Sequence, residues 1–238
     1  MSAAAVLRGI LFDKDGTLID FRATWIPAYV GVADEMASRL GGSTALAHTL
    51  LGRLGYHADA DEFTDDSLLL WATNEDIAAA WSATPEIAGR LDVREIVLRH
   101  FADLERYPPQ PVGDLPGLFH RLRRRGLRLG MATMDDTAIA HATVALLGID
   151  HCLDFVVGAD AGFGEKPQPG MVHAFCAACE LTPAEVLVVG DTAADLLMAR
   201  NAGCARAIAV RTGAMPLRRL EALADDILDS VQDIERLL

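Results

Sequence analysis

A chain of 238 residues, 51% of them hydrophobic, is long enough for one large or two modest domains and too apolar to stay disordered. Its net charge of −13 excludes a nucleic-acid backbone or an anionic membrane as the main partner. No apolar stretch reaches spanning length, the first residues run straight into an apolar strand without a signal-peptide pattern, and Cys152, Cys176, Cys179 and Cys204 form no disulfide framework, so a reducing cytoplasm is expected.

Five short apolar runs read as buried strands. They are "LRGILFD" (7–13), "LRLGMAT" (127–133), "DFVVGAD" (154–160), "VLVVGD" (186–191) and "RAIAV" (206–210). Helical stretches over 136–148, 168–180 and 191–203 separate the later four. Strands alternating with helices imply a Rossmann-like parallel sheet with right-handed crossovers. Residues 21–106 break that rhythm. They read as all-helical, with helices predicted over 24–40, 43–54, 65–82 and 85–105, the last capped by Thr84 with Pro85 at its first position. The Pro-rich "RYPPQPVGDLPG" (106–117) then returns the chain to the α/β pattern. The expected organisation is an α/β core over 1–20 and 107–238 with an all-helical cap over 21–106.

The run "ILFDKDGTLID" (10–20) ends its strand in Asp13 and places Asp15 two residues on. Like charges that close are costly unless a cation or a reaction needs them. In an open parallel sheet, ligands bind beyond the carboxyl ends of the strands. Asp13, Thr133, Lys166 and Asp191 each end a strand or follow one, so four reactive side chains converge on one edge. Asp13, Asp15 and Asp191 offer hard oxygens suited to Mg²⁺. Asp13 can attack phosphorus to form an aspartyl phosphate, and Asp15 can protonate the leaving oxygen and then activate water. Gly16 lets backbone N–H groups approach the phosphoryl oxygens, and Thr133 can donate a hydroxyl bond to the same group. Lys166 can neutralise it as a point charge. Of 21 basic residues only Lys14 and Lys166 are lysines, which raises the question of what a compact ammonium does that a guanidinium cannot.

"DKDGTL", the Thr of "GMATMD", the Lys of "EKPQP" and "VGDTAAD" resemble, in order, the four motifs of the haloacid dehalogenase superfamily. The likeness spans roughly 6–20 and 110–215, and is greatest to the phosphoglycolate phosphatase-like subgroup, which carries a helical cap after the first motif. The resemblance implies that Asp13 is the nucleophile and that Asp15 is the acid/base and lends Mg²⁺ its backbone carbonyl. It further implies that Asp191 is a metal ligand and that Asp195 is one directly or through water. An Asp at position 15 separates this chain from the dehalogenases and phosphonate hydrolases, which lack it. "DKTGT" cation pumps differ at the same place and need membrane spans. The stretch from Thr133 to Lys166 is too short for the other cap type, so access is expected to rest with 21–106.

The implied activity is Mg²⁺-dependent hydrolysis of a small phosphomonoester, with 2-phosphoglycolate the first substrate to consider and a monomer or homodimer as the working unit. The alternatives are a β-phosphoglucomutase-like isomerase and a non-catalytic regulatory module on the same fold. Arg22 and Trp25 open the cap at "DFRATW". Arg22 is a candidate clamp for a substrate carboxylate and Trp25 a candidate substrate contact, against a solvated hinge arginine and a cap-core tryptophan. Lys14 can point into the fold or toward substrate. "CAAC" (176–179) reads as small core residues, and "RLRRRG" (121–126) as a solvated helix end that complements the dipole.

Overall fold

A computed structural model describes residues 6–238. They form two compact units: residues up to Phe21 together with Pro109–Leu238, and Arg22–Pro108. In chain order, β1 (Gly9–Phe12) leads through α1 (Phe21–Arg39), α2 (Thr44–Arg53), β2 (Tyr56–His57), β3 (Glu62–Phe63), α3 (Asn74–Ser82) and α4 (Val93–Phe101). The core resumes with α5 (Leu115–Arg124), β4 (Arg128–Ala132), α6 (Thr137–Leu146), β5 (Phe155–Val157), α7 (Gly170–Cys179), β6 (Val186–Gly190), α8 (Ala193–Ala202), β7 (Arg206–Val210) and β8 (Asp226–Leu228).

The core sheet has six strands in the order β5-β4-β1-β6-β7-β8, all paired in parallel. Alternation along each strand divides its side chains between two apolar layers. Ile10, Phe12, Leu187, Val189, Ile208 and Val210 pack with Leu118 and Phe119 of α5 and Val144 of α6. Leu11, Val186, Val188, Ala207 and Ala209 pack with Val172 and Phe175 of α7 and Leu196 and Ala199 of α8. Both faces are therefore covered, which is why these strands read as unbroken apolar runs. After β1 the chain places β4 and β5 on one side, then crosses to place β6, β7 and β8 on the other. The order reverses between β1 and β6, where such sheets bind ligands.

The inserted unit departs from its sequence reading in three places. It is not all-helical, because β2 and β3 pair as a small antiparallel ribbon, with Tyr56 opposite Phe63. The helix expected over 65–82 is a short 3₁₀ turn at Leu68–Leu70 followed by α3, whose cap Thr73 accepts from the N–H of Asp76 at 3.1 Å. The helix expected from Pro85 begins at Val93. Ala88 and Gly89 both take positive φ, which interrupts helical geometry, and Asp92 caps the helix by accepting from Glu95 N at 3.0 Å. The core of this unit is aromatic: Trp25, Tyr29 and Phe101 pack with ring centroids 5.0–5.7 Å apart.

Candidate active site

The parallel register sets Phe12 beside Val189, and the N–H of Asp13 continues the ladder to the carbonyl of Val189 at 2.8 Å. Asp13 and Asp191 thus leave the sheet side by side at the switch point. The turn after Asp13 winds around one carbonyl: that of Lys14 accepts from Leu18 N at 2.9 Å and Ile19 N at 3.1 Å. Gly16 sits in this turn at φ +78°, its N–H donating to Ile19 O at 2.8 Å. A Cβ on Gly16 would lie 2.3 Å from Asp191 Oδ2, so only glycine lets this turn approach that carboxylate.

Lys166, 7% exposed, reaches across from the loop after β5. Its Nζ donates to Asp13 Oδ1 at 2.5 Å and to Asp195 Oδ1 at 2.6 Å. The other oxygen of Asp195 closes a capping box at the start of α8, accepting from Thr192 N at 3.0 Å and Thr192 Oγ1 at 2.6 Å. Asp195 therefore both caps its helix and holds Lys166. Thr133, 1% exposed, donates from Oγ1 to Asp15 Oδ2 at 3.4 Å and accepts from Asp135 N at 3.1 Å. Lys14 points into the core, donating to Asp15 Oδ1 at 3.0 Å and Asp135 Oδ2 at 3.1 Å.

Burial decides the electrostatics. Desolvation pushes the Asp13 carboxyl up to about 7; Lys166 opposes this, and Asp195 and Asp15 reinforce it. Asp191 is raised well above the ordinary carboxylate range, first by burial and then by Asp13 and Asp195. Burial alone would lower both lysines, but their paired carboxylates outweigh it and hold Lys14 and Lys166 above the usual range.

Carboxylate oxygens of Asp13, Asp191 and Asp195 lie within 4.8 Å of one another. Oδ1 of Asp191 is buried with no hydrogen-bond partner among the described residues. An orphaned, buried carboxylate oxygen beside two more carboxylates is a set of hard donors that fits a small divalent cation.

Of the residues singled out from sequence, Asp13, Asp15, Gly16, Thr133, Lys166, Asp191 and Asp195 come together in the α/β unit. Arg22 and Trp25 belong to the other unit. There Arg22 pairs with Asp61, 2.5 Å from its carboxylate and 2.6 Å from its carbonyl, and Trp25 is buried against Tyr29 and Phe101. Three neighbours carried no sequence signal. Asp135 anchors Lys14. Thr212 Oγ1 donates to Gly16 O at 2.6 Å, and a Cβ on Gly213 would lie 1.9 Å from Asp191 Oδ2. The signal that could have flagged the latter two is their place just after the fifth parallel strand, β7.

Fold and site together define a Rossmann-like α/β hydrolase built around acidic side chains. The chain belongs to the haloacid dehalogenase-like hydrolases, whose family model matches residues 7–203. It is 28% identical over 233 residues to a plasmid-encoded phosphoglycolate phosphatase of Cupriavidus necator, covering 96% of this chain and 92% of that one. It is 26% identical over 198 residues to a phosphoglycolate phosphatase of Yersinia pestis, covering 83% and 78%. In structure it resembles a HAD phosphatase of Thermococcus onnurineus, with a TM-score of 0.68 and 20% identity over 97% of each chain. Among the described residues no helix is long and apolar enough to cross a membrane.

Proposed function

We propose that this chain is a Mg²⁺-dependent phosphatase that hydrolyses a small phosphomonoester through an aspartyl phosphate on Asp13. The observation that carries the reading is the orphaned Oδ1 of buried Asp191 beside Asp13, with Lys166 bridging Asp13 and Asp195. The side chains of Asp13 and Asp191, with the backbone carbonyl of Asp15, would hold Mg²⁺, which when bound supplies positive charge against the phosphoryl oxygens. Asp195, whose oxygens also hold Lys166 and Thr192, would complete this acidic set directly or through water.

Lys166 holds one oxygen of Asp13, and the other attacks phosphorus. As the new P–O bond forms, the bond to the ester oxygen breaks, and that oxygen takes the proton carried by Asp15. Asp15, now a carboxylate, takes a proton from water as the water oxygen attacks the phosphoryl group. The bond to Asp13 breaks, and inorganic phosphate leaves. Lys166 and the Thr133 hydroxyl counter the charge on the transferring group.

The relatives named phosphoglycolate phosphatase support 2-phosphoglycolate as the first substrate to test. The experiment is phosphate release from a panel of small phosphomonoesters, including phosphoglycolate and β-glucose 1-phosphate, with Mg²⁺ or chelator. Wild type should release phosphate only with Mg²⁺, and Asp13→Asn should lose at least about a thousandfold. Undiminished release by Asp13→Asn would refute the nucleophile. Conversion of β-glucose 1-phosphate to an isomer without free phosphate would point to a mutase instead.

A further inference from the structure

Lys14 lies between the proposed nucleophile and the proposed acid/base, yet it is 1% exposed and points away from solvent. Its Nζ bridges Asp15 Oδ1 at 3.0 Å and Asp135 Oδ2 at 3.1 Å. Asp135 is 4% exposed and tied into the loop after β4. Its Oδ1 accepts from Asp136 N at 2.9 Å, its carbonyl accepts from Ala159 N at 3.0 Å, and its own N–H donates to Thr133 Oγ1 at 3.1 Å. A path of short polar contacts thus runs from the β4 loop through Asp135 and Lys14 to the Asp15 carboxylate.

Stability alone gives little reason for this arrangement. A buried ion pair costs as much to desolvate as it regains, and an apolar side chain of similar volume packs as well or better. What the pair supplies is direction. Asp15 has to release a proton to one oxygen and accept a proton from another, each within hydrogen-bond reach, and small misplacement of such a group is costly in rate. Lys14 fixes Oδ1 from inside the fold. Oδ2, which Thr133 Oγ1 meets at 3.4 Å, is then the oxygen that carries the proton. The Asp15 side chain keeps 20% exposure, while that of Lys14 keeps 2%.

We propose that Lys14, anchored by Asp135, is a positioning residue that fixes the Asp15 carboxylate for both of its proton transfers. This rests on the phosphatase reading above. The geometry also answers why position 14 is a lysine. A compact ammonium fits between two carboxylates in a closed space, where a planar fork would need more width.

The test compares two esters on wild type, Lys14→Met, Asp135→Asn and the double variant Lys14→Met/Asp135→Asn. p-Nitrophenyl phosphate expels a leaving group that needs no proton. An alkyl phosphate, chosen from those the wild type turns over, needs one. In Lys14→Met, stopped flow should show phosphorylation of Asp13 by the aryl ester within about threefold of wild type, with phosphoenzyme hydrolysis about ten- to a hundredfold slower. A nitrophenolate burst equal to the enzyme concentration should therefore appear. With the alkyl ester, phosphorylation itself should slow by a similar factor, and no burst should form. Asp135→Asn should move in the same direction by less. The double variant removes the deeply buried Asp135 charge that Lys14→Met strands and leaves only Asp15, 20% exposed, without its ammonium, so it should recover part of the thermal stability while keeping the kinetic defect. Recovery of turnover in the double variant would overturn the proposal, because charge balance alone would then account for the pair. Equal loss on both esters without a burst would also overturn it, as would wild-type kinetics in Lys14→Met. If wild type releases no phosphate from any ester, or Asp13→Asn retains release, the phosphatase reading itself falls and takes this inference with it. If those controls hold and only the Lys14 results fail, the inference alone falls.

Discussion

In the α/β unit two ammonium groups are buried, each between two carboxylates: Lys14 with Asp15 and Asp135, and Lys166 with Asp13 and Asp195. In the inserted unit there is no lysine at all: the arginines that form ion pairs there keep side chains 40–64% exposed, and the other contacts to carboxylates are made by histidines, His48 to Asp59 and buried His100 to Glu35. The two regions solve different problems. A point charge can be shared by two carboxylates in a sealed space, and it then makes their placement interdependent. A guanidinium at the surface keeps contact with water and couples weakly to its partner. Removing one member of a buried cluster leaves an uncompensated charge, whereas removing one member of a surface pair leaves a solvated one.

The contrast is tested most severely at Lys166. Lys166→Met leaves Asp13 and Asp195 facing each other without a cation. It should destabilise the fold by about 3–5 kcal/mol in urea unfolding and cut turnover by more than about a hundredfold. Lys166→Arg should recover little of the turnover, because the site fits a point charge shared at 2.5 and 2.6 Å. A full recovery would break the argument for ammonium over guanidinium.

The next effect is in pH and metal. With Asp13 pushed up to about 7 from an ordinary value of 3.8, the metal-free folded protein retains a proton that the unfolded chain has released. Stability of the metal-free protein should therefore fall as pH rises from about 3.8 toward 7, and Asp191 acts in the same direction. Mg²⁺ binding near pH 7 should expel on the order of one proton. Calorimetry in two buffers of different ionisation enthalpy would read it. Equal heats in both buffers would mean that the carboxylates are already ionised.

Much of this centre is visible in the chain because the parallel sheet turns sequence order into proximity. Once five apolar runs are taken as parallel strands, Asp13, Thr133, Lys166 and Asp191 have to meet at one edge, whatever lies between them. Side-chain pairing across that edge has no such rule. Asp135 is two residues from Thr133, yet nothing in "TMDD" says that its carboxylate takes Lys14. Gly213 matters because a Cβ there would lie 1.9 Å from Asp191 Oδ2, a crowding that only the packed loops create. β8 escaped notice because three residues carry no period. Thr84-Pro85 is a sound helix start by local chemistry, and tertiary structure overrides it: the chain turns at Ala88 and Gly89, and Asp92 takes over the cap. His100 attracted no role from sequence. In the fold it is a buried link between Tyr107, at 2.9 Å, and Glu35, at 2.7 Å.

The inserted unit provides the smaller effects that complete the comparison. Burial works to raise Glu35, but hydrogen bonds from His100 and Arg99 outweigh it and hold the carboxyl down at about 2. Glu35→Gln should cost about 1–2 kcal/mol at neutral pH. Because the folded value lies below the ordinary 4.5, that contribution is present above about 4.5 and is lost as pH falls toward 2, so the two proteins should converge in acid. Arg94 and Glu75 lie at the far end of the scale. They form a bidentate pair with side chains 64% and 55% exposed, and both stay solvated when the pair is broken. Arg94→Ala should move the melting temperature by less than about 2 °C, and adding salt should leave even that difference smaller. A larger shift would mean that surface arginine pairs in this unit act as a connected network. The division between a core organised by buried charge and a unit merely decorated by it would then have to be redrawn.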